Sequence, residues 1–174
     1  NGCPCDGMSK LGWRSGFRAI VAAGDPKTLH LVLELRADLN FQNVPSGLPN
    51  LMTAAVQAAY YFQHREATKV VELFSQIPGM TPLAGACFFG NLAQTRILLQ
   101  ARADASLANC YSRTPLSFAA AKGQSVMLQE LLQAAPQCLN VPDCWGLCPL
   151  DHALAARNNM AAVWLLEHGG VHGG

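Results

Sequence analysis

The stretch Thr114–Gly123, TPLSFAAAKG, decides how this chain folds. Its residues come in the order that a short, thin helix requires. Thr114 offers a side-chain oxygen to the unpaired N–H groups of a first turn. Pro115 suits that turn, because its missing N–H has no helical partner there and its φ is already helical. Leu116 supplies the first core contact, and Ala119 and Ala120 keep the rod thin enough for a close neighbour. Gly123 stops the helix, since glycine takes the left-handed conformation of a C-cap without a Cβ penalty.

The same skeleton recurs at a fixed period. Thr81–Gly90 reads TPLAGACFFG, 33 residues upstream, and Cys148–Arg157 reads CPLDHALAAR, 34 residues downstream. Ser15–Gly24, SGFRAIVAAG, falls in the same frame, so its tenth position holds Gly24, Gly90, Gly123 and Arg157. An apolar group follows each time: Leu31-Val32-Leu33, Ile97-Leu98-Leu99, Leu131-Leu132 and Trp164-Leu165-Leu166. Two short helices cannot bury their own apolar side, so units of this kind lean on one another in a stack.

Further along the frame, RADLNFQN (Arg36–Asn43) stands beside RADASLAN (Arg102–Asn109), and DCWGLCPLDHA (Asp143–Ala153) carries an Asp-x-x-Gly junction before the next helix. With these motifs the chain resembles the ankyrin-repeat family over roughly Ser15–Asn43 and Thr81–Gly170. The family pattern is Thr-Pro-Leu-His, paired alanines, Gly, Leu-Leu, then Gly-Ala-Asp-Val-Asn and a hairpin; Cys148 stands in its Thr place and Asp151 in its His place. The resemblance implies an all-α solenoid of about five helix-turn-helix units joined by hairpin loops. On this reading residues 1–14 are an irregular N-terminal arm, 15–170 the repeat array and 171–174 a flexible tail.

Departures from the pattern are informative. Arg36 and Arg102 stand where the family has Gly, and a left-handed residue there costs about 1 kcal/mol relative to glycine. The second unit, Leu48–Met80, is irregular. Its apolar pair Leu73-Phe74 comes about eight places late, its first helix is expected to be lengthened through Gln57–His64, and its hairpin is expected to be cut to Ile77–Met80. The last unit carries no polar cap of the kind an isolated array needs for solubility.

Composition narrows the function. The chain is 51% hydrophobic and 13% charged, well below the roughly 25% charged of an average soluble domain. Part of its surface is therefore expected to be covered by a partner. A net charge of +1 and no basic stripe argue against nucleic acid. The longest apolar run, Leu51–Phe62, falls short of the ~18 residues of a membrane helix and holds Gln57. The first residue is Asn1, and an earlier segment carrying any targeting signal is expected to have been cleaved or to lie outside this sequence, so no compartment is assigned. Seven cysteines, an odd number in a core-rich chain, are read as reduced thiols rather than a disulfide scaffold.

No phosphate loop, dinucleotide fingerprint, zincin motif or nucleophile elbow is present. Cys138, Cys144, Cys148 and His152 raise the question of zinc, but structural zinc sites use two tight ligand pairs and Cys138 is too far from Cys144 to complete the second. Cysteine in place of the small residues of the repeat accounts for Cys87 and Cys148. A helix-start position is expected to lower the pKa of Cys148, with His152 as its only nearby base and no third group to orient that pair. The chain is accordingly read as no enzyme, with no cofactor and no metal.

The resemblance places partner contacts at the hairpin tips and along the inner helices. In this frame those positions are Phe88, Phe89, Tyr111, Arg113, Lys122, Trp145 and Leu147, an aromatic concave stripe with an Arg among its rings, the composition of an interface hot spot. The competing reading is that some of these rings are buried between units. The expected function is a non-catalytic protein–protein interaction module binding a protein partner through that face. The alternative is a permanent structural subunit of a larger complex, including one at a membrane, with no transmembrane segment of its own.

Overall fold

The computed structural model describes residues 26–34, 38–40, 42 and 79–174. The N-terminal arm, the helix expected at Ser15–Gly24, Arg36, and nearly all of the second unit lie outside the described residues. Seven α-helices are described: α1 (Pro26–Glu34), α2 (Pro82–Phe89), α3 (Leu92–Gln100), α4 (Pro115–Lys122), α5 (Ser125–Ala134), α6 (Pro149–Ala155) and α7 (Asn159–Glu167). One 3-10 turn, Pro136–Cys138, follows α5, and no strand occurs among the described residues.

The three inner helices α2, α4 and α6 begin alike. Thr81 Oγ1 accepts from the Ala84 amide at 3.1 Å, and Thr114 Oγ1 accepts from the Ser117 amide at 3.3 Å. Cys148 occupies the same place, where its own backbone N–H donates to Asp151 Oδ2 at 2.9 Å. The carboxylate three residues into the helix therefore caps a different donor, the N–H of the cap residue itself, as the reciprocal half of a capping box. Each inner helix ends in a left-handed residue: Gly90 at φ 72°, Gly123 at φ 76° and Arg157 at φ 59°. Gly90 and Gly123 are constrained a second time. A Cβ on Gly90 would lie 2.9 Å from the Gln124 amide nitrogen, and one on Gly123 would lie 2.7 Å from Asn158 Oδ1. Those amides belong to the next layer, and Gln124 Nε2 donates to the Gly90 carbonyl at 2.7 Å. The helix stop is thus also an inter-layer bond.

Inner helices pack in the order α2, α4, α6, and the outer helices in the order α1, α3, α5, α7, with each inner helix on its own outer partner. Ala86, Ala119 and Ala153 stand in the same place in successive inner helices and are all 0% exposed, which is why the rods approach so closely. Leu98, Leu131 and Leu165 do the equivalent work in the outer row, fully buried; burying each such leucine stabilises the stack by about 1.5–3 kcal/mol. Arg102 adopts φ 66° at the end of α3, so the strained arginine expected there is present.

The first described helix joins the stack directly on α3. Leu29 of α1 is 0% exposed, and Leu33 and Leu39 pack on the common core. α1 rests directly on α3, Asn40 Oδ1 accepts from the Asp104 amide at 2.9 Å, and Gln42 Nε2 donates to the Ala108 carbonyl at 2.6 Å. The layer of α1 therefore lies against the layer of α2 and α3. Gly79 (φ 71°) holds the place in the frame of Ser112 (φ 59°) and Gly146 (φ 81°), so the closing half of a hairpin tip is retained before Thr81.

Val171–Gly174, expected as a flexible tail, is held in place by hydrogen bonds. The Val171 amide donates to Asn140 Oδ1 at 3.0 Å and the Gly173 amide to Asp151 Oδ2 at 2.7 Å. His172 Nδ1 lies 2.8 Å from Asp151 Oδ1.

Candidate protein-interaction face

The hairpin tips are built by one acidic or amide residue each. Asn109 Oδ1 accepts from the Tyr111 and Arg113 amides, both at 3.0 Å. One unit later Asp143 Oδ1 accepts from the Trp145 and Leu147 amides at 2.9 and 3.0 Å. Each tip is closed by backbone bonds across it: Asn109 N–H to the Arg113 carbonyl and Asp143 N–H to the Leu147 carbonyl, each 2.9 Å. Adjacent tips are joined where the Cys144 amide donates to the Tyr111 carbonyl at 2.9 Å. Side chains that follow the Asx residue are thereby presented on a rigid edge.

On that edge Tyr111 and Trp145 stack, with ring centroids 5.7 Å apart and planes 23° from parallel. The Arg113 guanidinium carbon lies 5.4 Å from the Trp145 ring centroid, within cation–π range. Arg113 is fixed from behind: its Nε donates to Asp143 Oδ2 at 3.2 Å, and the Asp143 side chain is wholly buried. Trp145 remains 47% exposed and Leu147 38% exposed, so the ladder is open to solvent on its outer side.

His152 completes this network from α6, with Nε2 2.9 Å from Asp143 Oδ2. Burial holds its pKa down to about 4 and the Arg113 charge acts the same way, while Asp143 and Asp151 pull in the opposite sense without prevailing. The close carboxylate suggests an ion pair by distance alone; burial decides otherwise, and at neutral pH the imidazole is uncharged and donates Nε2–H to Asp143.

Phe88, Phe89 and Lys122 form a second cluster at the C-terminal ends of α2 and α4. Phe88 meets Phe89 edge-on at 5.3 Å and Phe118 edge-on at 6.0 Å, and Lys122 Nζ lies 4.9 Å from the Phe88 ring centroid. Phe89 is 41% exposed, but Phe88 is only 8% exposed. The expectation of an open Phe88 is corrected: Phe118 of the next layer closes over it, and its ring is the floor on which Lys122 and Phe89 sit. Of the seven residues singled out in the sequence, Tyr111, Arg113 and Trp145 are thus joined at the tips, and Phe88, Phe89 and Lys122 at the helix ends. Leu147 contributes its backbone to the tip and an exposed side chain beside it.

The cysteines are placed separately. The Cys148 thiol donates to the Asn140 carbonyl at 3.5 Å, Cys138 is buried with its sulfur 3.9 Å from the Ala105 carbonyl, and Cys144 is exposed. The lowered pKa expected for Cys148 is reversed: burial raises it, and the carboxylates of Asp151 and Asp143 raise it further. Burial, with two neighbouring anions added to it, outweighs the helix terminus. His152 faces Asp143, and among the described residues no group of three or more His, Cys, Asp or Glu is placed to hold a metal ion.

Sequence reasoning missed Asn109 and Asp143 as the residues that build the tips, and His152 as the partner of Asp143. A signal existed, since Asn109 and Asp143 lie 34 residues apart in the frame and both are turn-forming Asx residues.

A family model of ankyrin repeats, in three copies, matches residues 83–172. The chain belongs to the ankyrin-repeat family. A curated relative, ankyrin repeat protein nuc-2 of Neurospora crassa, is 32% identical over 78 residues, which is 45% of this chain and 7% of that protein. The chain therefore matches only a small part of that relative's length. Ankyrin repeats are generally protein–protein interaction modules and typically non-catalytic. Among the described residues of this ankyrin array, no helix is long and apolar enough to cross a membrane.

Proposed function

We propose that this ankyrin array is a non-catalytic binding module that captures a protein partner along the edge formed by Tyr111, Arg113, Trp145 and Leu147, continued by Phe89 and Lys122. The observation that carries the reading is the Tyr111–Trp145 stack with Arg113 against its open end. Two rings and a guanidinium held in place before binding lose little side-chain entropy on association, and aromatic and Arg residues of this kind dominate interface energies. Phe88 supports the face from below and is not itself a contact.

The test is co-purification from the protein's source. Phe89→Ala combined with Trp145→Glu abolishes capture of the partner while the far-ultraviolet circular dichroism is unchanged. Val126→Glu, at an exposed position on the outer helix α5, leaves capture intact. Capture that survives the first variant and fails with the second would place the partner surface on the outer helices.

A second reading, a permanent subunit of a larger complex, is favoured by the low charged fraction of 13% and by exposed Met160 and Val163 on α7. A monodisperse isolated chain at tens of micromolar removes that reading; recovery only in company with other subunits removes the reversible adaptor.

A further inference from the structure

Charge is divided unevenly between the two rows of helices. On the inner helices and the tips, the described charged residues are Arg113, Lys122, Arg157, Asp143 and Asp151. Both acids are occupied within the chain. The Asp143 side chain is wholly buried between Arg113 and His152. Asp151 accepts from the Cys148 and Gly173 amides and meets His172 Nδ1 at 2.8 Å. The exposed carboxylates, Glu34, Asp38, Asp104 and Glu167, lie on the outer helices and the loops that follow them. There too Glu130 pairs with Arg96 at 2.7 Å.

Lys122 and Arg157 have no carboxylate partner among the described residues, and both are exposed. They stand in adjacent layers of one row, at the ends of α4 and α6. Asn158 ties those ends together: its Nδ2 donates to the Ala121 carbonyl at 2.5 Å, and its side chain fills the space beside Gly123. The Lys122 ammonium is held 4.9 Å from the Phe88 ring centroid, and the exposed ring of Phe89 meets the same Phe88 edge-on. Arg157 is left-handed at φ 59°, in the place where Gly90 and Gly123 stand, so a cation is kept where glycine would sit without strain. Unpaired cations beside an exposed ring are complementary to carboxylates flanked by apolar side chains. A nucleic acid is the poorer fit. Its binding draws on the neutralisation of many phosphates, and the whole chain has a net charge of only +1. We propose that the partner segment captured by this face is acidic, an extended stretch of polypeptide whose carboxylates meet Lys122 and Arg157 while an apolar side chain beside them covers Phe89. This rests on the capture along the Tyr111–Trp145 edge proposed above and names the chemistry of what is captured.

Two experiments test it, with every variant first matched to the parent by far-ultraviolet circular dichroism. In the first, the full chain is titrated with poly-L-glutamate at neutral pH and followed by NMR. The amides of Lys122, Gly123, Arg157 and Asn158 shift, and Lys122→Glu with Arg157→Glu weakens binding by about tenfold or more. Reversing the outer-row cations instead, Arg96→Glu with Arg102→Glu, changes binding by less than about twofold, because solvent and salt screen charges on the far side of the array. Poly-L-glutamate that fails to bind, that shifts the outer helices instead, or that binds the Lys122 and Arg157 variant as tightly as the parent overturns the proposal. Tighter binding of polyuridylate at the same residues also overturns it. In the second, complexes co-purified from the protein's source are treated with a carbodiimide, which joins an amine to a carboxylate in contact with it. A link from Lys122 into a stretch rich in Asp and Glu supports the proposal. Capture that survives Lys122→Glu with Arg157→Glu, but is lost with Phe89→Ala and Trp145→Glu, overturns it and leaves the binding face standing. Capture that survives both sets removes the face as well.

Discussion

Lowering the pH below neutrality should weaken this fold through one residue, His152. Its pKa falls from the ordinary 6.5 to about 4 in the folded chain. Between those values the unfolded chain binds a proton that the folded chain refuses, so stability rises with pH across that window. The neutral imidazole's contribution is complete above 6.5 and is lost progressively as pH falls toward 4. A tenfold difference in proton affinity is worth about 1.4 kcal/mol, so the full effect is of the order of 3 kcal/mol. Phe118 occupies the same place in the previous layer, which makes His152→Phe the natural reference. Urea unfolding of both proteins from pH 7.5 to 3.5 gives the difference in stability at each pH. That difference should shrink by about 2–3 kcal/mol on acidification, with carboxylates remote from His152 cancelling because both proteins carry them. A His152 imidazole that titrates near 6.5 by NMR, or a difference that does not change with pH, would refute the reasoning.

Asp143→Asn keeps an acceptor for the Trp145 and Leu147 amides but removes the carboxylate facing Arg113 and His152, and should cost about 1–3 kcal/mol; Asp143→Ala also strips the tip and should cost more, measured by the same unfolding assay. Leu98→Ala and Leu131→Ala should each destabilise by about 2–5 kcal/mol with a cavity left in the outer row, and a loss under 1 kcal/mol would place them outside the core. Arg157→Gly and Arg102→Gly relieve left-handed arginines and should raise stability by about 0.5–1 kcal/mol, visible as a higher melting temperature. Gly123→Ala does the opposite and should exceed 1 kcal/mol, because the added methyl meets Asn158 as well as a positive φ.

The layer architecture was legible because it is written locally. Thr81, Pro82 and Gly90, or Thr114, Pro115 and Gly123, act within ten residues, and their meaning survives without knowledge of any neighbour. Arg157 was readable for the same reason, as a position in a frame. What escaped depends on residues a full unit away. Phe88 looks exposed until Phe118 closes over it, and Cys148 looks activated until its burial and the carboxylates of Asp151 and Asp143 are in view. Asp143 is a turn residue in sequence, and only the stack brings Arg113 from one side and His152 from the other. The contact of α1 with α3 was hidden because the irregular second unit, Leu48–Met80, separates them in sequence and has the length of an ordinary unit. The tip ladder lies between these cases. Tyr111 and Trp145 were readable as tip residues, but their stacking follows from the inter-tip bond of Cys144 to Tyr111.

Hydrogen exchange of the array with and without its captured partner tests the binding face most directly. Slowed exchange confined to the amides around Tyr111, Arg113, Trp145 and Leu147, with the outer helices α5 and α7 unchanged, is the predicted result. Slowed exchange along α5 or α7 with the tips unaltered would contradict it.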